Sequence, residues 1–390
     1  MGSEGEMAAR LIPEFEQQHP GIRVRVQSIP WSAAHEKLLT AFVGGTLPDV
    51  FQLGVTWLPE FAALGALEPL DDRVAALRDD FFPGVWDTSV IDGAVVAVPW
   101  YADTRLLFYR RDLFAAAGVA EPPRTWASWR DALERLQRSL GSGRHALFLP
   151  LAEWEPPVVF ALSLGATLLR DGDRFGDFES AGFREAFAFH LSLFERGLAP
   201  RAGAGATSSL YRDFAEGWFG SFLSGPWNLG ELAERTPSTL ADAWATAPLP
   251  GPDERRPGVS IAGGGSLAIR AGTPRREVAW QLVAWLSEPA QQLELYRRTG
   301  DLPPRRSAWQ DEALARDPHV AAFRVQLDHV RALPKVPEWE RIAGKISRYT
   351  EAAVRGEQTA DAALAALDGD VDRILDKRRF LLAQQRGSTE

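Results

Sequence analysis

The chain has no cysteine in its 390 residues, which excludes disulfides, thiolate nucleophiles and cysteine metal sites while leaving the compartment open. No apolar run approaches the roughly 18 residues of a membrane span. Histidine is sparse. His19, His35, His145, His190, His319 and His329 stand singly, without the paired spacing of a metal site, so neither a metal nor another cofactor is expected. No G-x-S-x-G elbow occurs. The glycine run before Ser266 leads into Leu267-Ala268 rather than Lys-Ser/Thr, so it is not a phosphate loop. An excess of basic charge is also missing. The net charge is -9 with acids and bases interspersed, which offers no footprint for nucleic acid. The opening MGSEGEMAAR is polar and has no signal-peptide pattern. Either the protein is cytoplasmic or the chain begins after a removed leader.

What is present is ordinary in bulk and unusual in one respect. Hydrophobic content of 45% and charged content of 24% describe a folded, soluble protein. The length exceeds what one core usually supports, so two domains are expected. Tryptophan stands out, with 14 against 5 tyrosines. Some of these rings must be core, but flat rings in that number also suit a sugar-binding surface.

Residues 5–18 read as a helix with Met7, Leu11 and Phe15 four apart, irregular at Pro13. Ile22, Val24 and Val26 alternate with polar residues as in a strand. Ser32 can cap the next helix, which carries Leu38, Leu39, Phe42 and Val43. Residues 49–53 form a short apolar strand, and a helix with Phe61 and Leu64 follows, closed by Gly65. This helix–strand alternation predicts a parallel sheet with covering helices, and such a sheet would take one further strand ahead of residue 1. Asp92-Gly93 marks a hairpin turn. Thr125 caps a helix with Trp126, Trp129, Leu133, Leu136 and Leu140 on one face; Phe183, Phe187, Leu191 and Phe194 mark another. Residues 202–209 read as a small, polar loop. Thr273-Pro274 reads as an N-cap with a first-turn proline, and Thr359 caps a terminal helix.

The stretch 98–112, VPWYADTRLLFYRRD, carries the most chemistry. Asp103 and Arg105 are two apart, so in an extended segment they point the same way, beside Trp100 and Tyr101. Rings that cover C–H faces and charged planar groups that take hydroxyls suit a neutral polyol. The competing reading is a buried Asp–Arg pair at a strand end. Gly263, Gly264 and Gly265 either let backbone N–H groups approach a ligand or form a bulge at a strand entry. Trp57, after Gly54, and Trp227, after Gly225-Pro226, are better platforms than Trp126, Trp129, Trp280 or Trp285, which sit in helical patterns. Arg305 and Arg306 follow Pro-Pro, and solvated charge is the favoured reading for at least one of them.

Taken in order, PEFEQQHPGIRVRV, LPDVFQLGVTWLPEFAALGALEPL, FFPGVWD, DGAVVAVPWYADTRLLFYRRDLF, PPRTWASW, SGPWNLG, AGGGSLAI and GEQTADAAL cover nearly the whole chain. In this series the chain resembles a family 1 extracellular solute-binding protein of bacterial ABC sugar importers, the maltose/trehalose-binding class. The resemblance implies an α/β, two-lobed periplasmic binding protein fold, each lobe a mainly parallel sheet flanked by helices. It places hinges near 107–109, near 258–261 and after Pro304. Lobe 1 would then comprise 1–108 and 261–312, and lobe 2 would comprise 109–260 and 313–390.

The resemblance also implies a neutral mono- or disaccharide, of trehalose or maltose type, held between hinged lobes that close on it. The partners would be membrane permease subunits of an ABC transporter, the receptor a monomer that is periplasmic or tethered outside the cell, and no catalysis would be needed. Carried over by position, the sugar acid falls on Asp103 with Tyr101 beside it. Gln52, Gly54, Thr56 and Trp57 follow the DVF strand. The acidic start of the first helix suggests Glu4 or Glu6, of which Glu6 is taken. GPW gives Trp227 with Asn228, and VPEW gives Trp339. Arg105, Gly264, Gly265 and Arg306 complete the expected ligand set from the residue reading. Relatives often carry an acid in place of Gly54 and a tryptophan in place of Gly265, so the pocket differs there. Two alternatives are a secreted carbohydrate-active enzyme, whose paired carboxylates 52 acids could supply, and the same fold binding glycerol phosphate or another polyol through Arg105 and Arg306.

Overall fold

The computed structural model describes residues 1–151, 153–201 and 209–387, so most of the loop expected at 202–209 lies outside the described residues. Its main strands, in chain order, are β1 (Val50–Gly54), β2 (Val98–Asp103), β3 (Leu106–Arg110), β4 (Ser221–Ser224), β5 (Trp244–Ala247) and β6 (Gly263–Ile269). Its longer helices are α1 (Gly2–Gln18), α2 (Trp31–Val43), α3 (Trp126–Leu140), α4 (Glu155–Ser163), α5 (Ala181–Glu195), α6 (Arg276–Leu286), α7 (Pro289–Thr299), α8 (Trp339–Arg355), α9 (Ala360–Ile374) and α10 (Asp376–Gly387). Among the described residues no helix is long and apolar enough to cross a membrane.

The chain divides into two compact α/β units. Unit 1 holds Met1–Thr104, Pro226–Gly230 and Ala262–Asp317; unit 2 holds Arg105–Gly225, Glu231–Ile261 and Pro318–Glu390. The expected changeovers stood after 108, 260 and 312. In the structure β3 pairs wholly with strands of unit 2, so the first changeover falls in the two-residue gap between β2 and β3. The return of Pro226–Gly230 to unit 1 was not anticipated.

In unit 1, β6 lies between β1 and β2 and runs antiparallel to both, with Val50 opposite Ile269 and Asp103 opposite Gly263. In unit 2, β3 lies between β4 and β5, again antiparallel to both. The expectation of mainly parallel sheets is therefore corrected. Among the described residues the parallel ladder is Ser260–Ile261 with Val330–Arg331, and parallel bridges join Thr125 to Gly251, His145 to Phe219 and Phe148 to Phe222. The reason is order of arrival. The local alternation of helix and strand correctly makes β1 and β2 run the same way, but β6 comes from far along the chain and wedges between them in reverse.

Alternation along these strands feeds two cores. Phe51, Leu53 and Ala268 join Ala34, Leu38, Leu58 and Phe61 on one side; Leu267 and Ile269 join Phe15 of α1, Val283 of α6 and Leu295 of α7 on the other. Unit 2 is built around helices. Trp129 and Leu133 of α3, Val158 to Leu162 of α4, the four predicted residues of α5, Ile342 and Ile346 of α8, and Leu364 and Leu367 of α9 form one cluster.

Local signals fared unevenly. Thr125 makes a full capping box with Ser128, and Thr359 Oγ1 accepts the Ala362 N–H at 3.2 Å. Asp92 and Gly93 both take positive φ, 50° and 83°, as a tight hairpin turn requires. Ser32 does not cap α2, which starts after Pro30. α1 runs unbroken through Pro13, which sits on its exposed side. Residues 22–26 alternate half-buried and exposed as a strand would, but have no ladder partner among the described residues.

Candidate functional site

Unit 1 gathers carboxylates and rings at the C-terminal end of β2. Tyr101 and Asp103 are held there by β6, whose glycines make room for them. A Cβ on Gly265 would stand 2.6 Å from the Tyr101 ring, and one on Gly263 would run into the Asp103 carboxyl. Gly264 has φ +117°, which an L side chain rarely adopts, and the pairing shifts register between Gly265 and Ser266. The bulge reading of the glycine run is therefore the one the geometry supports. Gly264 and Gly265 are occupied by the chain's own Tyr101 and Asp103 rather than reserved for a ligand. A tryptophan at 265 would need the place that Tyr101 fills.

Around this strand end, Gln52 of β1 donates from Nε2 to the Tyr101 Oη at 3.3 Å, and its Oε1 accepts from the Met1 amino group. Glu4, in the first turn of α1, is 5% exposed and accepts the Trp31 indole N–H at 3.1 Å. Carboxylates at a helix start are favoured by the positive end of the dipole. Glu6, the residue taken from the sequence, is exposed two residues on, about 200° round the helix, and it is Glu4 that faces this strand end. The acid missed altogether is Asp301. It follows Gly300, whose left-handed conformation (φ +80°) ends α7, and it precedes Leu302, whose carbonyl accepts the Ala102 N–H at 2.8 Å. That bridge sets Asp301 beside Asp103. Burial first, and then the Glu4 carboxylate, push Asp301 well above the usual carboxylate range. The Tyr101 hydroxyl is likewise raised by burial and by Glu4, Asp301 and Asp103.

The ring platform of unit 1 is a pair. Trp57 stands edge-on to Trp31, centroids 5.4 Å apart, and both rings lie over Gly54, where a Cβ would be within 3.6 Å of each. Thr56 is half-buried beside Trp57. Trp31 was missed although it directly follows Pro30, closer to a chain-breaking residue than Trp57, which comes three residues after Gly54. Trp227 is half-buried and Asn228 is 1% exposed; the backbone of Pro226, Trp227 and Gly230 packs against Gly300, next to Asp301. Arg306 belongs elsewhere. Its guanidinium lies 5.2 Å over the Phe82 ring and lines a separate recess with Asp79, Trp86 and Asp87.

Unit 2 carries a second cluster. Arg105 donates from Nη2 to Glu155 Oε1 at 2.8 Å, and its backbone N–H is held by Ser260 Oγ at 3.0 Å. Strand alternation does not link Asp103 and Arg105 as expected, because the strand breaks at Thr104 and the two residues fall in different units. Glu155 opens α4, followed by Pro156-Pro157, which suit a first helical turn. Glu153 lies close by. Burial and the Glu155 carboxylate raise it to about 7, against the opposing pull of Arg105. Between these acids Trp154 meets Trp339 edge to face at 5.5 Å. Trp339, the expected platform, is 1% exposed and belongs to the core, so Trp154 offers the accessible ring. Glu153 and Trp154 were both missed.

Acceptor oxygens next to indole faces can hold a polyhydroxylated ring: oxygens take the hydroxyl protons and the rings cover the C–H faces. Comparison with known proteins agrees with that chemistry. A family model described as bacterial extracellular solute-binding protein matches residues 2–293. A solved sugar-binding protein, MalE of the phytopathogen Xanthomonas citri, is 47% identical, with 98% of each chain covered and a TM-score of 0.95. The diacetylchitobiose binding protein DasA of Streptomyces coelicolor is 26% identical over 387 residues, covering 97% of this chain and 88% of that one. The maltotriose-binding protein of Pyrococcus abyssi is 22% identical over 364 residues, 92% and 77%.

Proposed function

This chain belongs to the bacterial extracellular solute-binding proteins, the receptors of sugar ABC importers, and on that premise we propose that its ligand is a neutral mono- or disaccharide, a maltose- or trehalose-type disaccharide foremost. The carrying observation is the acceptor-and-ring set of unit 1: Glu4, Asp103, Asp301, Gln52 and Tyr101 beside Trp31 and Trp57. Glu153, Trp154 and the Arg105–Glu155 pair supply a second grip from unit 2. One sugar held by both grips draws the units together about the chain crossings, because only the closed arrangement makes both sets of contacts. The loaded, monomeric receptor then hands its sugar to permease subunits in the membrane, working outside the cytoplasm, free or tethered.

The excess of acids in unit 1, 22 against 14 bases, repels an anion, which speaks against glycerol phosphate. Arg306, one of the two cations that reading needs, sits over Phe82 instead. Isothermal titration with a panel that includes maltose, trehalose, diacetylchitobiose, mannitol and a sugar phosphate tests the proposal. A neutral saccharide binding with a Kd of about micromolar or tighter is expected. Absence of heat with every neutral sugar overturns it.

A second reading rests on Glu153. A carboxyl that keeps its proton near pH 7, beside a second carboxylate, is also the equipment of a glycoside hydrolase. Prolonged incubation with oligosaccharides separates the two: intact substrate leaves the receptor, and release of smaller sugars establishes the enzyme.

A further inference from the structure

The C-terminal helices of unit 2 carry a surface that sugar binding does not use. On α10, Phe380 is 62% exposed and Leu381 46%, adjacent large apolar side chains on one helix. Lys377, exposed, shares their face by the three- and four-residue spacing of a helix. The other side of α10 is pinned down. Arg378 and Arg379 donate to the carbonyls of Asp173 and Arg174 at 3.2 and 2.9 Å, and the Arg379 guanidinium lies 4.6 Å from the Phe175 ring. The outward display of Phe380 and Leu381 is thus held by contacts on the opposite side, and is not the fraying of a loose end.

Directly before α10, the end of α9 meets α8 at a groove of about 550 Å³. Arg341, Lys345 and Arg348 of α8 and Arg373 of α9 line it, with Glu340 and Asp370 as its acids. Asp370 is already spent on neighbours: Lys345 at 2.8 Å, the Tyr349 hydroxyl at 2.8 Å and Arg373. Gly344 sits at the groove with nothing within 4 Å of where its Cβ would be, so the space is open. The groove itself sets four cations against two carboxylates, and on α10 Lys377 stands next to Asp376, which pairs with Arg379; unit 2 as a whole is nearly balanced, 30 acids against 29 bases.

We propose that this face, the α8–α9 groove continued by the exposed side of α10, rests on an anionic phospholipid surface. The groove cations take headgroup phosphates, and Phe380 and Leu381 enter the headgroup–acyl boundary. Charge complementarity to headgroup phosphates and exposed apolar side chains beside a base are two features that favour interfacial binding. This inference is independent of which sugar the protein carries.

Co-sedimentation of the full chain with vesicles tests it. Vesicles of phosphatidylglycerol in phosphatidylcholine are expected to bring the protein down, pure phosphatidylcholine vesicles are not, and raising NaCl from about 50 to about 500 mM releases it. R341E/R348E is expected to lower the bound fraction about tenfold, as loss of surface cations should. F380S/L381S lowers it severalfold, with the melting temperature and sugar titration of both variants unchanged. Failure to sediment with anionic vesicles overturns the proposal, as does equal sedimentation with both lipids or indifference to both double substitutions. A concentration-dependent dimer abolished by F380S/L381S, without lipid binding, assigns the face to a second copy instead and equally overturns it.

Discussion

Asp103 is the side chain on which the most can be tested. Asp103→Ala is expected to weaken sugar binding by about 1.5–3 kcal/mol, the scale of hydrogen bonds to charged groups, with little change in the melting temperature of the unliganded protein. Lost stability with retained affinity makes it a structural residue instead. Glu153 predicts a pH effect of definite sign. Its folded value of about 7 lies above its ordinary 4.5, so folding favours the protonated form. The stability this lends is whole below pH 4.5 and is lost as pH rises through 7, on the order of 2–3 kcal/mol in all. Denaturation of wild type and Glu153→Gln at pH 5 and pH 8 checks this: the wild type should lose more stability across the interval. Asp103 and Tyr101 could be read as candidates because they share one continuous motif, and Trp57 because it stands in another, LPDVFQLGVTWLPEF. Asp301, Glu153 and Trp154 could not. Nothing in their own neighbourhoods announces burial; it arises when α1, β2 and the end of α7, or β3 and α4, converge.

Secondary structure shows the same division between local and distant causes. The Thr125 and Thr359 caps and the Asp92-Gly93 turn were legible because each is decided by three or four adjacent residues, whereas Ser32 and Thr273 cap no helix, the helices beside them starting after Pro30 and Arg275. Sheet direction was not legible, because it depends on β6, whose partners lie some 200 residues away in the sequence in β1 and β2. That distant pairing makes β6 the sensitive strand of unit 1. Gly264→Ala forces a side chain into positive φ and against the Tyr101 carbonyl, and should destabilise by about 1–3 kcal/mol. The control is Gly45→Ala, at φ +65° with open space around it, for which about 1 kcal/mol is expected. Urea denaturation of both distinguishes a crowded strand from a merely strained backbone. Equal losses would mean that contact with β2 contributes nothing.

The charge of the molecule is unevenly shared: unit 1 has 22 acids against 14 bases, and unit 2 is close to balance. A receptor for neutral sugar gains nothing from that excess in long-range attraction, so its affinity should depend little on salt, unlike that for a charged ligand. The stronger test of the proposed mechanism uses both grips. A ligand moves an equilibrium between open and closed forms only through contacts that exist in one form and not the other. If the sugar touched unit 1 alone, Trp154→Ala in unit 2 would leave its affinity unchanged and no compaction would follow binding. If both units grip, Trp154→Ala should cost about tenfold in affinity, ~1.4 kcal/mol, although Glu4, Asp103 and Asp301 are untouched. Small-angle scattering supplies the matching observation. The radius of gyration of the wild type should fall on adding saturating sugar and should fall in the Trp154→Ala protein only at proportionately higher sugar. A wild-type profile that is the same with and without a sugar that demonstrably binds would confine recognition to one unit and remove closure from the mechanism.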